Sequence, residues 1–363
     1  MKAAICYEYG KPLLIEEVEM DPPKKGEVKV RISATAICHS DIHSIKGEHG
    51  RGKLPALAGH EVSGYIEEVG EGVTYVQPGD PVVCCLARAG CGHCHYCIIG
   101  LPNFCENWHF EFQRLGPYRN KDGEQLILLG GLYAGFVEYT IIPEDGVVKI
   151  PEELPMDRAA LLGCGVISGF GAVVNGAKVK PFSSVVVMGT GGVGLNAIQG
   201  AAFVGAHPII AADVVDSKLE VARSFGATHT INIKKERDPV SVVRKMTYGR
   251  GADHIFITVA GIQPKRQGFL MLARNGMEMI IGHGINEYLS EFDAVEFVGG
   301  RIMTGCAMGA SRIRVDIPRL IELYQAGRLK LDELISKKYR LEQINEAIED
   351  AEKGESLRNV IQF

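Results

Sequence analysis

The sequence lacks a run of about 18 apolar residues, the minimum for a membrane-spanning helix. It also lacks a long run of lysine or arginine, and its formal net charge is −5. The first twenty residues, MKAAICYEYGKPLLIEEVEM, carry charges where a signal peptide needs an apolar core. These absences argue against a transmembrane protein, a secreted precursor and a protein that binds nucleic acid or anionic membranes. We therefore predict a cytoplasmic protein with neither nucleic acid nor membrane as a partner.

Four of the ten cysteines fall within one short segment, CGHCHYCIIGLPNFC. They are Cys91, Cys94, Cys97 and Cys105, and their spacing is C-x2-C-x2-C-x7-C. In a reducing compartment, clustered thiols indicate a metal more often than disulfides. Four thiolates close a tetrahedral zinc shell, which leaves no coordination position for a substrate. We predict a structural zinc site in this segment.

Three other interpretations of the segment are weaker. A bacterial [4Fe–4S] run has a different last spacing and ends in Cys-Pro. Disulfides are disfavoured in the cytoplasm, and a DNA-binding zinc ribbon needs a basic surround, which GHCHY and ENWHFE do not provide. Four of the other six cysteines are predicted to be small buried residues without a metal role. They are Cys6, Cys84, Cys85 and Cys306.

The rhythm of the chain changes part-way along its length. Up to about Ile150, short alternating or β-branched runs such as EVKVRISATAIC and FVEYTIIP predict strands. From about Lys180, strand patterns alternate with helix patterns, which indicates a parallel sheet covered on both faces. After roughly residue 308 come two amphipathic helix patterns and a closing strand, ESLRNVIQF. The fold class is therefore α/β, and a chain of 363 residues favours two domains.

A glycine-rich loop follows the buried strand pattern SVVVM and opens a helix pattern. The loop fits G-x-G-x-x-G, and its residues are Gly189, Thr190, Gly191, Gly192, Val193 and Gly194. In this context the glycines let the backbone approach a pyrophosphate at a helix N-terminus. Asp213 ends the next strand about 20 residues further on, where an acid binds the adenosine ribose and repels a 2′-phosphate. We predict a dinucleotide site that takes NAD rather than NADP. The alternative is a glycine-rich turn beside a solvated aspartate.

A second group of metal-ligand types is dispersed along the chain. Cys38, His60 and Cys164 would make a Cys2His shell with one position open, the pattern of catalytic zinc in alcohol oxidation. Spacing alone does not join residues so far apart in the sequence. Taken singly, a buried cysteine is usually a small hydrophobic residue and a single histidine a core residue. On pattern alone, the interpretation of these three residues as unrelated core residues prevails over a shared metal site.

Nearly the whole chain resembles the zinc-dependent alcohol dehydrogenases of the medium-chain dehydrogenase/reductase superfamily. The resemblance is carried by CHSDIH, GHEVSG, the four-cysteine segment, LLGCG, GTGGVG, AADVVDSKL, VGGRIMTG and GESLRNVIQF. It implies a mostly-β, GroES-like catalytic domain at 1–165 and 309–363, with a structural zinc lobe at about 90–106. It also implies a Rossmann domain at 166–308, a doubly wound parallel sheet that binds NAD, and a homodimer or homotetramer.

The resemblance also implies roles for individual residues. Cys38, His60 and Cys164 would hold a catalytic zinc, with Glu61 beside it as a further or alternate ligand. With the structural zinc, this makes two zinc ions per chain. Ser40 and His43 would relay the alcohol proton to solvent while a zinc alkoxide passes hydride to the nicotinamide. Cofactor contacts would come from His39, Lys218 and Arg358.

The activity implied is NAD-dependent oxidation of a primary or secondary alcohol to an aldehyde or ketone. Ala87 replaces a position that is often bulky in the substrate pocket, so we expect an alcohol larger than ethanol. His283 stands where relatives usually have a small apolar residue, and segment 106–133 departs most from them. A thiol-dependent formaldehyde dehydrogenase, of the S-hydroxymethyl-glutathione or mycothiol type, is the alternative, and a polyol dehydrogenase is a further one.

Overall fold

The computed structural model describes residues 1–48, 50, 52–108, 113–282, 292–354 and 356–363. His283 and residues 109–112 of the divergent segment lie outside the described residues. The chain divides into two compact units. The first contains Met1–Cys164, Arg312–Ala326 and Leu331–Phe363, and the second contains Gly165–Ser311 and Gly327–Lys330.

The described residues form nineteen strands in chain order. They are β1 (Lys2–Cys6), β2 (Leu14–Glu17), β3 (Glu19–Met20), β4 (Glu27–Ala36), β5 (Ala56–Leu57), β6 (Glu61–Val69), β7 (Pro81–Cys84), β8 (Gln113–Arg119), β9 (Gln125–Leu129), β10 (Tyr139–Pro143), β11 (Val147–Lys149), β12 (Val185–Met188), β13 (Ile209–Asp213), β14 (His229–Asn232), β15 (Ala252–Ile257), β16 (Leu272–Ile280), β17 (Ile302–Gly305), β18 (Ile335–Arg340) and β19 (Arg358–Gln362).

The same residues form ten α-helices. They are α1 (His39–Ile45), α2 (His95–Ile98), α3 (Met156–Leu161), α4 (Ile167–Gly171), α5 (Gly192–Phe203), α6 (Asp216–Ser224), α7 (Pro239–Met246), α8 (Ile262–Met271), α9 (Ile313–Gln325) and α10 (Ile344–Glu352). Two π turns, Leu162–Val166 and Ala172–Gly176, follow α3 and α4.

The first unit is built on two sheets. One has six strands in the order β2-β1-β5-β9-β8-β3, and the other has seven, β11-β7-β6-β4-β19-β18, with β10 also paired to β4. Strand β4 alternates between buried and more exposed positions over most of its length, because one face of the sheet packs on the core. The C-terminal strand predicted from ESLRNVIQF is β19, and it lies antiparallel to β4 within this sheet.

Four strands of the seven-stranded sheet meet at one end. Because β4 runs antiparallel to both β6 and β19, its last residue, Ala36, pairs with Glu61 and Val360 near the starts of those strands. Strand β7 is antiparallel to β6 and pairs Cys84 with Val62. The chain segments that leave β4 and β7 therefore start beside the residues that begin β6 and β19.

The second unit contains a six-stranded parallel sheet in the order β14-β13-β12-β15-β16-β17. Every residue of β12 and β13 is buried, as expected for strands covered by helices on both faces. Helices α5 to α8 connect consecutive strands of this sheet from β12 to β16. The α/β alternation predicted from about Lys180 onward is therefore present.

One helical stretch, Met156–Gly176, is long and apolar enough to cross a membrane. It is composed of α3, α4 and the two π turns. Within the protein, 78% of its most apolar window is buried. Burial of this degree is typical of the core helix of a folded domain.

A buried carboxylate in the second unit predicts a pH-dependent stability. Glu278 on β16 is fully buried, and neither carboxylate oxygen accepts a hydrogen bond within the described residues. Burial raises the pKa of Glu278 to about 8, although the charge of Lys265 opposes the shift. Since this folded-state pKa exceeds the unfolded value, the contribution of Glu278 to stability is most favourable below about pH 4 and becomes less favourable as pH rises towards 8.

We expect Glu278→Gln to remove this pH dependence. Its gain in unfolding free energy over the parent should be small near pH 5 and should reach a few kcal/mol near pH 8. Denaturant unfolding of both proteins at the two pH values measures the difference. A stability difference that is equal at both values would contradict the assignment.

Candidate metal centre

The four-cysteine lobe gathers its sulfur atoms around one point. All four lie within 4.8 Å of one another, with Cys91 Sγ 4.0 Å from Cys97 Sγ and Cys94 Sγ 3.9 Å from Cys105 Sγ. A tetrahedral zinc with Zn–S bonds of about 2.3 Å requires sulfur separations of about 3.8 Å. The donor set and its spacing therefore fit a zinc ion.

Backbone geometry of the lobe supports negative charge on the sulfurs. The amides of Cys91 and Cys94 each point at a cluster sulfur at 3.4 Å. Backbone hydrogen bonds from Cys97 and Glu106 lower the pKa of Cys94 to about 6, whereas burial raises the pKa of Cys97 to about 12. The thiols therefore do not all ionise unaided, and a dication is the partner that would stabilise four thiolates together.

The turn that starts the lobe depends on glycine. Gly90 has a φ of +87°, which side chains rarely adopt. A Cβ at this position would lie 2.7 Å from Cys97 Sγ. The absence of a side chain at Gly90 therefore lets the chain pass directly behind a cluster sulfur.

The dispersed ligand types also come together, at the end of the seven-stranded sheet where four strands meet. The ligand atoms of Cys38, His60, Glu61 and Cys164 all lie within 4.8 Å of one another. Cys38 stands between β4 and α1, His60 and Glu61 stand at the start of β6, and Cys164 belongs to the first π turn. The tertiary fold thus assembles residues that sequence spacing does not connect.

Asp41 orients the histidine of this cluster. Its buried carboxylate accepts hydrogen bonds from the backbone amides of Cys38 (3.2 Å) and Gly59 (3.0 Å), and its Oδ1 lies 2.8 Å from His60 Nδ1. Because the Nδ1–H of His60 is hydrogen-bonded to the Asp41 carboxylate, Nε2 is the ring nitrogen that faces the cluster as a potential metal ligand. Sequence reasoning missed Asp41, although its place three residues after the helix N-cap, Cys38, is a capping-box signal.

The electrostatics of the cluster favour a bound cation. Burial opposes protonation of His60, but the negative charges of Asp41 and Cys38 outweigh it and raise the pKa of His60 well above its usual value. A hydrogen bond from Cys164 lowers the pKa of the Cys38 thiol, and the same bond, together with burial, raises the pKa of Cys164. The two thiols thus share a proton, which a divalent metal would displace.

A buried carboxylic acid, Glu61, and a buried arginine, Arg358, lie at the same end of the sheet. Burial raises the pKa of Glu61 to about 7 against the opposing charge of Arg358. Arg358 Nη2 lies 3.4 Å from Glu61 Oε1, and Arg358 Nη1 donates to the carbonyl of Ile37 at 3.3 Å. Neither Glu61 oxygen has a hydrogen-bond partner within the described residues. A buried carboxylate left in this state beside two thiols and an imidazole also fits a metal as its partner.

Helix α1 carries the remaining polar residues of the site. Ser40 Oγ donates to Cys38 Sγ at 3.1 Å and lies 3.5 Å from His60 Nε2, so Ser40 faces the cluster. His43 lies one turn further along α1, and its Nδ1 pairs with the carboxylate of Glu48. The ring of His39 is 6.5 Å from that of His43. His39, Ser40 and His43 therefore all lie on the short helix that begins directly after Cys38.

The asparagine substitution of Asp41 tests its orienting role. We expect Asp41→Asn to weaken zinc binding at the Cys38 cluster by about 10- to 100-fold, because an amide orients the imidazole less well and carries no charge. Chelator competition measures the affinity, and the four-cysteine lobe in the same chain is the internal reference. Equal affinity in parent and variant would show that the His60–Asp41 bond is not needed for the metal.

In the second unit, the glycine-rich loop joins β12 to α5. Gly189 has a φ of +92°, and a Cβ there would lie 2.8 Å from Thr258 Oγ1. Helix α5 begins at Gly192, and its N-cap, Gly191, makes no side-chain capping bond. The first amides of the helix are therefore available to an anion. Val193 and Gly194 form the next positions of the first turn.

Asp213, at the end of β13, fixes the conformation of this loop through hydrogen bonds. One carboxylate oxygen accepts from the amide (2.7 Å) and hydroxyl (2.9 Å) of Thr190, and the other accepts from the amides of Val214 (2.7 Å) and Val215 (3.1 Å). Sequence reasoning gave Asp213 only a role towards ribose and missed these hydrogen bonds. Lys218 lies on α6, partly exposed.

Comparison with known proteins places this architecture in a family. Residues 24–152 match the alcohol dehydrogenase GroES-like domain, and residues 192–326 match the zinc-binding dehydrogenase domain. The chain is 38% identical to an NDMA-dependent alcohol dehydrogenase of Amycolatopsis methanolica, over 99% of this chain and 98% of that protein. The chain belongs to the zinc-type alcohol dehydrogenases of the medium-chain dehydrogenase/reductase superfamily.

Two further relatives of this alcohol dehydrogenase show how far the similarity extends. An S-(hydroxymethyl)glutathione dehydrogenase of Paracoccus denitrificans is 36% identical over 100% of this chain and 99% of that protein. The crystal structure of benzyl alcohol dehydrogenase from Acinetobacter calcoaceticus matches with a TM-score of 0.90 and 32% identity, covering 100% of this chain and 99% of that chain. The resemblance and the α/β fold class predicted from the sequence are confirmed.

Proposed function

We propose that the chain oxidises a primary or secondary alcohol larger than ethanol to an aldehyde or ketone, with NAD as hydride acceptor and two zinc ions per chain. The observation that carries the proposal is the Cys38, His60 and Cys164 cluster with Glu61 beside it. Two sulfurs and an imidazole nitrogen, oriented by Asp41, form the donor set of a zinc with an open position. The four-cysteine lobe has a closed donor set and would hold the structural zinc.

The chemistry divides between the metal and the residues of α1. Bound at the Cys38 cluster, zinc supplies Lewis acidity that lowers the pKa of an alcohol hydroxyl. Ser40 Oγ, which faces the cluster, would accept the hydroxyl proton as it passes its own proton on. His43, whose imidazole can take up and release a proton, would pass the proton on to solvent. These two residues are the proposed relay.

The second unit, with 166–308 as the cofactor domain, would bind NAD. Gly189, Gly191, Gly192, Val193 and Gly194 are the proposed pyrophosphate loop, because the loop ends at the N-terminus of α5. The negative charge of Asp213 would disfavour the 2′-phosphate of NADP. The remaining proposed cofactor contacts are His39, Lys218 and Arg358, of which Arg358 also pairs with Glu61.

The small side chain of Ala87 and one similar structure support a substrate larger than ethanol. Ala87 is fully buried and contributes only a methyl group to its surroundings. The charge of the next residue, Arg88, is paired with Asp145 at 2.7 Å, and its Nη1 donates to the carbonyl of Asn107 at 3.3 Å. The similar structure named benzyl alcohol dehydrogenase makes aromatic alcohols the first substrates to test.

A second copy of the chain is the proposed partner. Strand β17 is the last strand of the parallel sheet within the described residues. Exposed apolar residues lie on it and just before it, with Ile302 45%, Val295 66% and Val298 82% exposed. Pairing of two such edges would continue the sheet into a homodimer, and two dimers would make a tetramer. The proposed location is the cytoplasm.

An alcohol panel tests the proposal. Ethanol, butanol, cyclohexanol and benzyl alcohol should be assayed with NAD and with NADP, and formaldehyde with and without glutathione or mycothiol. We expect a higher kcat/KM for benzyl alcohol or cyclohexanol than for ethanol, and a preference for NAD over NADP. Higher efficiency with ethanol would remove the large-pocket proposal. Turnover that requires formaldehyde together with a thiol would establish the alternative, which the relative named S-(hydroxymethyl)glutathione dehydrogenase favours.

A further inference from the structure

A third thiol, that of Cys85, lies behind the Cys38 cluster without belonging to its donor set. Cys85 follows β7 directly and is fully buried. Its backbone amide donates to the carbonyl of Gly146 at 2.9 Å, so its position is fixed by the main chain. Its Sγ lies 2.9 Å from the carbonyl oxygen of Gly163. The Cys85 thiol therefore contacts Gly163, the residue that immediately precedes Cys164.

The direction of the Cys85 hydrogen bond follows from its surroundings. A carbonyl oxygen only accepts, so the thiol must be the donor. Burial raises the pKa of Cys85 to about 12, a backbone hydrogen bond from Ala87 opposes the shift, and the nearby charge of Glu61 adds to it. As the donor to the Gly163 carbonyl, the Cys85 thiol stands apart from the four ligand residues of the Cys38 cluster.

The accepting carbonyl belongs to a π turn, Leu162–Val166, that carries Cys164. A π turn is rare, and it occurs mostly as a single-turn bulge at functional sites. Returning to α geometry would turn the following side chains by about 100°, the rotation of one residue in an α-helix. Cys164 would then no longer point at Cys38 and His60. The π turn therefore needs restraints from the structure around it.

Two restraints come from the end of β7. The Cys85 thiol bonds the Gly163 carbonyl, and the Gly163 backbone packs so closely on the strand that a Cβ there would lie 2.5 Å from the Cys84 carbonyl oxygen. We propose that Cys85 is a positioning residue for the metal centre: its S–H···O bond to Gly163 holds the π turn that aims Cys164 at the cluster. This inference rests on the proposed function, because it takes Cys164 to be a zinc ligand.

Four variants test the role of Cys85. Cys85→Ala removes the donor, Cys85→Val removes it while filling the space, and Cys85→Ser keeps a hydroxyl donor. Cys84→Ala is the matched control, because Cys84 is equally buried and belongs to neither metal-ligand group found among the described residues. Chelator competition measures the affinity of each zinc, and the visible spectrum of the cobalt-substituted protein reports the ligand geometry.

We expect Cys85→Ala and Cys85→Val to weaken zinc at the Cys38 cluster by about tenfold and to change its cobalt spectrum. Cys85→Ser and Cys84→Ala should stay within about twofold of the parent, and the lobe zinc should be unaffected in all four. If Cys85→Ala alone fails to fold, the zinc affinity of Cys85→Val, which fills the space but lacks the donor, tests the role of the hydrogen bond. Parental zinc affinity at both sites in Cys85→Ala and Cys85→Val would overturn this inference but not the proposed function. The same would follow if Cys85→Ser lost as much zinc affinity at the Cys38 cluster as the two variants without a donor. A parent chain with only the lobe zinc would overturn the proposed function as well.

Discussion

Replacing Cys164 by alanine is expected to lower kcat/KM for alcohol oxidation by at least about a thousandfold. The reason is that polarisation by a metal contributes several kcal/mol of charge stabilisation in the transition state, and about 4 kcal/mol corresponds to this factor. Cys164 supplies one of the three ligands in the proposed open shell. Steady-state kinetics with the best alcohol of the panel, at saturating NAD, measure the loss.

The matched control for this variant is Cys6→Ala. Cys6 is also a buried cysteine of the first unit, but it lies in a hydrophobic cluster and outside the metal-ligand group. Its activity should stay close to that of the parent. A Cys164→Ala protein that keeps its fold and more than about a tenth of the activity would contradict the role of Cys164, because this loss is less than 1.4 kcal/mol.

Replacing Cys105 by alanine is expected to cost stability rather than chemistry. The variant removes one of four sulfurs from the lobe, and a structural zinc site contributes its binding free energy to folding. A loss of about 3 kcal/mol would lower the Tm by about 10 °C for a unit of this size. Thermal unfolding with and without a chelator measures the effect.

The chelator supplies the control for the lobe prediction. In the parent, slow removal of the lobe zinc should lower the Tm to nearly that of Cys105→Ala. In the variant, the chelator should produce little further change from the lobe. Equal Tm values for the parent and Cys105→Ala would mean that the four sulfurs do not stabilise the fold through a metal.

Local patterns predicted much of the fold. The loop from Gly189 to Gly194 is a contiguous motif between a strand and a helix, so sequence alone located it. The same is true of the lobe, whose four cysteines lie within fifteen residues from Cys91 to Cys105. In both cases the short chain segment restricts the geometry, and the residue types indicate the ligand.

The Cys38 cluster depended on long-range structure. Its members meet only because β4, β6 and β19 pair in the register that brings Ala36 beside Glu61 and Val360. The strand order is decided by packing of whole sheets, which no local pattern contains. Family resemblance, rather than spacing, suggested the ligand set.

The supporting residues were the least predictable part of the site. Asp41 bonds His60, and Arg358 pairs with Glu61, through contacts between different elements of the fold. The π turn around Cys164 is invisible in the sequence, because LGCGV is compatible with an ordinary helix. Such residues become apparent only when the buried donors and acceptors are paired one by one.

Zinc per chain, measured by elemental analysis on gently purified protein and on Cys38→Ala, tests the central claim most directly. We expect two zincs per chain in the parent and one in the variant, because the lobe retains its own four sulfurs. One zinc per chain in both proteins would contradict it. The Cys38, His60 and Cys164 cluster would then hold no zinc, and metal-assisted alcohol oxidation would lose its structural basis.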